Sequence, residues 1–292
     1  MFNRRSLLSR AALLGAGSLV TPSFGAVGTT VEGLVNRKIQ ELRALGQIAS
    51  DERTSWVVTD INRGQKLVSI NEPVAMQCAS MVKHMVIQAY LMCHFTKDAK
   101  LYPLSPRVMN EMRDMIVHSN NEFTNHIIKR LGGPEGVQWM LKKEAPNVFR
   151  DIHIVEYIPE NGRTYLNRAS GGDYDRFLLA LWHNQLPGAE ILKKMMVIPN
   201  HDRIRSNTRF VTENAATTVY DKTGSTAMLC GNTGIIECKD RNGNSVAYTF
   251  TGIIEKKRRA ANYSSWISDR SDVMRSISDL VYLDFAQRYP LT

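Results

Sequence analysis

The chain has 292 residues, 43% hydrophobic and 22% charged, with a formal net charge of +9. That length supports a sizeable core, and the balance excludes intrinsic disorder, collagen-like repeats and coiled coil as the main architecture. Four cysteines are too few for a disulfide-built scaffold, and the positive balance leaves room for an anionic partner.

Residues 1–26, MFNRRSLLSRAALLGAGSLVTPSFGA, place a basic start ahead of an apolar stretch from Ala11 to Val20, then Pro22 and small residues. This is the layout of a secretory signal, with Ser23 and Gly25 suited to the −3 and −1 positions of a cleavage site. Asn3-Arg4-Arg5-Ser6-Leu7-Leu8 resembles the twin-arginine export motif, which implies a periplasmic or extracytoplasmic destination. Arg4, Arg5 and Arg10 carry three of the nine net charges, so the excess left after them is ordinary. No later stretch offers the roughly 18–20 consecutive apolar residues of a membrane span. Twin-arginine substrates cross already folded, so the fold should not depend on disulfides. Cys78, Cys93, Cys230 and Cys238 read either as pairs formed afterwards or as buried small hydrophobes.

Thr29-Thr30-Val31-Glu32 reads as a capping box, followed by Val31, Leu34, Val35, Ile39, Leu42 and Leu45 at helical spacing and by Gly46 as a stop. Ser55–Ile61 and Lys66–Ile70 are β-rich and joined by Asn62-Arg63-Gly64. From about residue 80 to 215 the pattern is helical, with segments at Met81–Cys93, Arg107–Val117, Glu122–Leu131 and Glu135–Lys142. A second capping box, Ser170-Gly171-Gly172-Asp173, opens Tyr174–Trp182. Strands return at Thr217–Asp221, Thr233–Cys238 and Ser245–Glu255, with Asn242-Gly243 as a hairpin signal, and a final helix carries Val273, Ile277, Leu280, Val281 and Phe285. This order predicts an α/β (α+β) fold: one antiparallel sheet built from both chain ends and flanked by helices, with a mostly helical inserted domain. The expected division is a sheet domain of residues 27–79 and 217–292 and a helical domain of residues 80–216.

Three short strings carry chemistry. Ala79-Ser80-Met81-Val82-Lys83 is S-x-x-K at the start of an apolar helix. Residues three apart share a helix face, so a desolvated Lys83 can lose its proton and activate the Ser80 hydroxyl. Ser119-Asn120-Asn121 offers a hydroxyl for a proton relay and an amide for a substrate carbonyl, although such a triplet commonly just caps a helix. Asp221-Lys222-Thr223-Gly224-Ser225 lies on a predicted strand, where an edge position and Gly224 let a substrate approach the backbone. Lys222, Thr223 and Ser225 supply a cation and two hydroxyls suited to a substrate carboxylate.

In this order and these contexts, S-x-x-K, S-x-N and K-T-G resemble the penicillin-recognising serine hydrolases, the superfamily of class A β-lactamases and DD-peptidases. The likeness extends to Asn121–Trp139 with its L-G-G-P turn, to Leu166-Asn167-Arg168-Ala169-Ser170, similar to the end of the family's omega loop, and to the hairpin Gly231–Glu255. The resemblance implies a β-lactamase/transpeptidase-like fold. It implies Ser80 as the acylated nucleophile, Lys83 as general base or relay, and Ser119 as the proton shuttle to the leaving nitrogen. Asn121 would hold the substrate amide, Lys222 and Thr223 would anchor a carboxylate, and the N–H groups of Ser80 and Ser225 would form the oxyanion hole. The implied activity is β-lactam hydrolysis by an exported monomer that needs no cofactor or metal and binds small acyl substrates rather than nucleic acid. A DD-peptidase, an esterase or a slow penicillin binder is the alternative within the class. A non-catalytic protein binding β-lactams or peptidoglycan fragments is the alternative outside it.

The chain departs from the class A pattern in the omega loop. The family's E-x-x-L-N sets a Glu on the deacylating water; here Leu166-Asn167 stands, but Arg163 occupies the Glu register and cannot act as a base. Glu160 and Glu156 lie upstream; the plainer reading of both is a surface carboxylate, but either could swing in as the base if the loop is reshaped, and Glu160 and Asn167 are the omega-loop candidates. The middle motif is S-N-N rather than S-D-N, and the interval from Ser80 to Ser119 is short, which implies trimmed helices. Tyr165-Leu166-Asn167 also spells the Y-x-N of class C relatives, but Ser119 already fills that place. No H-E-x-x-H or C-x-x-C occurs, so zinc is not expected. His84 and His118 adjoin the motifs and could line the cleft, although a solvated or packed role is the plainer reading; Lys256-Lys257-Arg258-Arg259 reads as a solvated loop, and one of Arg203, Arg205 and Arg209 is a candidate to assist carboxylate binding.

Overall fold

The computed structural model describes residues 30–159 and 165–291, so the export signal, Glu160 and Arg163 lie outside the described residues. Helix α1 (Val31–Ala44) buries Val31, Val35, Ile39 and Leu42. It begins one residue later than the predicted capping box. Thr30 is the cap, its hydroxyl accepting from the Gly33 N–H at 3.2 Å. Glu32 instead accepts from the Ser69 N–H at 2.8 Å and ties the helix to the sheet. Strands β1 (Glu52–Asp60) and β2 (Gln65–Ile70) form the predicted hairpin.

A short strand β3 (Ala75–Gln77) and a 3-10 turn (Ala79–Met81) lead into α2 (Val82–Thr96), α3 (Pro106–Val117), α4 (Asn121–Arg130) and α5 (Pro134–Glu144). Then come β4 (Arg168–Ser170), α6 (Gly171–Trp182), α7 (Ala189–Met196), β5 (Thr218–Thr226), β6 (Leu229–Lys239), β7 (Ser245–Lys256) and α8 (Tyr263–Arg288). The five-stranded sheet runs β2-β1-β7-β6-β5, with every neighbour antiparallel. Both chain ends therefore meet at its centre, where β1 pairs with β7, and β5 is left at an edge. The capping box at Ser170 forms as predicted, each side chain serving the other residue's backbone. The β3–β4 ribbon and α7 have no counterpart in the predicted elements, because three-residue strands and a two-turn helix are too short to show a period.

Each face of the sheet covers its own core. On one side Trp56, Tyr248, Phe250 and Ile254 pack with Val35 and Ile39 of α1 and with Val273, Ile277 and Phe285 of α8. On the other lies α2, buried at every position from Val82 to Cys93 and apolar all round, as expected of a helix enclosed by others. All four cysteines are buried and free, which is the small-hydrophobe reading.

Buried carboxylates link the layers. Glu52 on β1 accepts from the Ala49 N–H, from the Trp266 indole and from Arg270 Nε at 2.9 Å, holding α8 to the sheet. Asp175 on α6 accepts from Lys66 Nζ at 2.6 Å and from the hydroxyls of Thr59 and Thr249. Removing one member of a buried ion pair strands the other, at a cost of about 3–5 kcal/mol. Glu52→Ala should therefore lower the free energy of urea unfolding by about that amount. A midpoint equal to that of the parent chain would show that Glu52 does not anchor α8.

Candidate active site

Ser80 sits in the turn between β3 and α2, and Ser119 in the link between α3 and α4. Both neighbourhoods hold unusual backbone. Five described non-glycine residues have positive φ; three are asparagines, which tolerate it, and the others are Ala79 (+45°) and Ser119 (+54°). Such conformations cost roughly 1–3 kcal/mol each and persist only where surrounding contacts enforce them. Around Ala79, Cys78 supplies those contacts. Its N–H donates to the Asn167 carbonyl at 2.9 Å, and its carbonyl accepts from the Met81 N–H at 3.0 Å. Around Ser119, Asn120 caps α4 by accepting from the Phe123 N–H at 2.9 Å. The capping reading thus holds for the middle residue, and it leaves Ser119 and Asn121 turned towards Lys83.

The Lys83 amine is the hub. Nζ lies 3.1 Å from Ser80 Oγ, 3.0 Å from Ser119 Oγ and 2.7 Å from Asn121 Oδ1, and it also contacts the Ser119 carbonyl. Burial, and secondarily the nearby positive Lys222, push its pKa down to about 6. A neutral amine has two N–H groups and one lone pair. The Ser119 carbonyl and Asn121 Oδ1 can only accept, so they take the two N–H groups, and the lone pair is left for a hydroxyl.

Strand β5 forms the opposite wall. The cleft, about 260 Å³, is lined by Ser80, Ser119, Asn121, Ile158, Thr223, Ser225 and Tyr263. Lys222 lies buried beside it, Nζ donating to the Thr223 carbonyl at 3.1 Å. Burial lowers its pKa to about 8, with Asp221 opposing that shift and Arg203 adding to it. Asp221 is itself raised to about 6 by burial and by Asp202, while accepting from Asn232 Nδ2 at 2.8 Å and Asn200 Nδ2 at 2.9 Å. Of the three candidate arginines, Arg203 contacts a residue that lines the cleft. From behind the strand its guanidinium donates to Ser225 Oγ at 2.6 Å, to the Gly231 carbonyl at 2.7 Å and to Ser271 Oγ at 2.9 Å. Arg205 faces a different cavity and Arg209 is exposed.

A five-stranded antiparallel sheet with this cleft at its β5 edge, walled by helices, invites comparison. Residues 96–282, more than half of the chain, match the Beta-lactamase enzyme family. The chain belongs to that family. Its fold is β-lactamase/transpeptidase-like. It is similar to TLA-3 extended-spectrum β-lactamase, at 17% identity over 87% of this chain and 99% of that one, with a TM-score of 0.68. It is also similar to a class A β-lactamase from Bacteroides cellulosilyticus DSM 14838, at 16% identity over 87% and 97%, with a TM-score of 0.65. A third similar structure is a mutant of PBP-A in an acyl-enzyme complex with penicillin G, at 17% identity over 87% and 97%, with a TM-score of 0.66. None of the curated proteins compared matches the chain.

Other predicted residues of this β-lactamase-family chain lie outside the cleft. Asn167 is buried, and its side chain is spent on the loop: Oδ1 accepts from the N–H groups of Val155 and Glu156, and Nδ2 donates to the Glu156 carbonyl. Glu156 returns the bond, its carboxylate accepting from the Leu166 N–H at 2.7 Å. His84 does not line the cleft. It is fully buried between Tyr174 and Phe177, and burial drives its pKa down to about 3. His118 ends α3 and is exposed. Tyr263 and Ile158 went unpredicted, because neither belongs to a motif and only the fold brings them to the cleft. Among the described residues no three His, Cys, Asp or Glu side chains converge to hold a metal.

Gly224 has a use besides substrate access. A Cβ there would stand 2.9 Å from Met81 Cγ, 3.0 Å from the Cys78 carbonyl and 3.2 Å from the Met81 N. The absence of that atom lets the Ser80 turn lie directly on β5. Gly224→Ala should push the turn away and slow labelling of Ser80 by an acylating probe about 100-fold, with circular dichroism unchanged. Unaltered labelling would show that this contact does not set the position of Ser80.

Proposed function

We propose that this chain is an exported serine acyl-transfer enzyme that opens β-lactams with Ser80, most simply as a hydrolase. The observation that carries this reading is the Lys83 amine, depressed to about 6 and placed 3.1 Å from Ser80 Oγ. The Ser80 proton passes to Lys83 as Oγ bonds to the lactam carbonyl carbon. The oxyanion is met by the N–H groups of Ser80 and Ser225. The C–N bond then breaks, and the nitrogen receives the proton through Ser119 Oγ, 3.0 Å from Lys83. Asn121 holds the substrate amide. Thr223 anchors the carboxylate, supported by the buried charges of Lys222 and Arg203. Water releases the acyl group. The acyl-enzyme of PBP-A with penicillin G supports such an intermediate here.

The release step has weaker support, which favours a second reading. Asn167 and Glu156 are engaged with loop backbone, and Arg163 stands in the family's Glu register. A slowly deacylating penicillin binder of DD-peptidase type fits that arrangement. Glu160 is the surrogate base under the first reading. We also propose twin-arginine export, which the Arg4-Arg5 motif and a fold with four free cysteines support, and a division into a sheet domain (27–79, 217–292) and a helical domain (80–216).

Incubation of the purified protein with a chromogenic cephalosporin, read by absorbance and intact mass, tests the chemistry. An adduct on Ser80 that forms and clears identifies a hydrolase, and one that persists identifies the slow binder. Absence of both, or an adduct retained in Ser80→Ala, overturns the assignment.

The acylation rate should also follow pH in a bell. Lys83 is a base only above about 6, and Lys222 is a cation only below about 8. The rate should therefore rise through the first value and fall through the second. A rate that still climbs well above pH 9 would remove Lys222 from the mechanism.

A further inference from the structure

Beyond the Ser225 end of β5 lies a set of contacts that acyl transfer itself does not require. The β5–β6 turn is only Ala227-Met228, and the stretch following β7 folds back over it. The Lys256 N–H donates to the Met228 carbonyl at 2.9 Å, and the Ala260 N–H to the Ala227 carbonyl at 2.7 Å. From this stretch Arg259 Nη1 donates to the Tyr165 hydroxyl at 2.7 Å. Tyr165 is two residues from Asn167, whose carbonyl holds Cys78 beside Ser80. Immediately beyond the stretch Tyr263 lines the cleft with 47% of its surface exposed. These contacts form a clasp beside the cleft, running from the Ser80 turn through Tyr165 and Arg259 to the end of β5.

The charge of the stretch following β7 is one-sided. Lys256-Lys257-Arg258-Arg259 are consecutive, and the next acid along the chain is Asp269. Lys256 is partly neutralised by Glu52 at 3.9 Å. Lys257, Arg258 and Arg259 are exposed and make no ion pair among the described residues. The partner of Arg259 is a neutral phenol, which orients the guanidinium without cancelling its charge. Direction along β5 tells which part of a substrate meets it. With a carboxylate on Thr223 and the reacting carbonyl between Ser80 and Ser225, the group extending past Ser225 towards the turn is the acyl substituent.

Resting on the reading of Ser80 as nucleophile, we infer that this basic clasp is the specificity element for the acyl group and favours donors whose acyl side chain carries a carboxylate. Charges at a rim act on encounter rate and are screened by salt. The test compares second-order acylation of the full protein, followed by intact mass, with benzylpenicillin and with its α-carboxybenzyl counterpart. The carboxylated donor should be preferred, and Lys257→Gln/Arg258→Gln/Arg259→Gln should reduce the preference about fivefold, as should 0.5 M salt, on the order of one exposed ion pair. Tyr165→Phe breaks the hydrogen bond but keeps the charge, so it should retain the preference over the triple variant. Equal rates for the two donors, a ratio unmoved in the triple variant, or the same loss in Tyr165→Phe would overturn the inference. No adduct from either donor would instead overturn the assignment of Ser80, and the inference with it.

Discussion

The site depends on one constraint: a lysine amine held out of water. Lys83 stands on a helix that is buried at every position from Val82 to Cys93. A buried ammonium is costly, and the cost is relieved either by pairing with an anion or by giving up the proton. Among the described residues no carboxylate contacts Lys83 Nζ; its partners are a carbonyl, an amide oxygen and two hydroxyls. Neutral acceptors satisfy N–H groups without stabilising a charge as an anion would. The second lysine is treated differently. Lys222 is equally buried, but the adjacent Asp221 opposes the loss of its charge. Two lysines in one low-dielectric region are thereby pushed to different protonation states at neutral pH, one basic and one cationic. Acid–base pairs separated by environment in this way are how one fold runs proton transfer.

The geometry around that amine is maintained by strain and close packing together. Ala79 and Ser119 adopt a left-handed backbone that glycine or asparagine holds more easily, and hydrogen bonds from their neighbours enforce it. Met81 wedges the same turn against β5 and β6, where Gly224 and Gly231 leave room; a Cβ at Gly231 would stand 2.6 Å from Met81 Cε. The helix that buries Lys83, the turn that offers Ser80 and the edge strand that offers Thr223 and Ser225 are thus one packed unit. Movement of any one of them would change the 3.1 Å contact between amine and hydroxyl.

Much of this was legible in the sequence because the signals are local. Alternation and helical period located β1, β2, β7 and most of the helices, and the Ser170–Asp173 capping box formed as written. The spacing of Ser80 and Lys83 on one helix face carried over directly into contact. What escaped was set by tertiary packing. Nothing near Arg203 distinguishes it from Arg205 or Arg209; only the fold brings its guanidinium behind Ser225. Tyr263 opens a helix far along the chain from every motif. At α1 a local rule lost to a long-range one, since the carboxylate of Glu32 bonds the Ser69 N–H of β2 rather than capping its own helix.

The omega-loop segment shows why a motif can persist while one of its chemical parts changes. Asn167 makes three side-chain hydrogen bonds to the backbone at Val155 and Glu156, and Glu156 answers with its carboxylate on Leu166. Those bonds fold the segment back on itself, and the Asn167 carbonyl then fixes Cys78 and, through it, the Ser80 turn. Each of these duties is structural. The pair Leu166-Asn167 therefore reports the architecture of the loop, whereas a deacylating base is an independent requirement that the same architecture does not impose. Under the proposed reading the groups for acylation stand on helix and strand, whereas Asn167 and Glu156 of the loop are engaged with backbone. On that reading the two half-reactions share one structural link, the Asn167 carbonyl, through which a change in the loop also reaches the Ser80 turn.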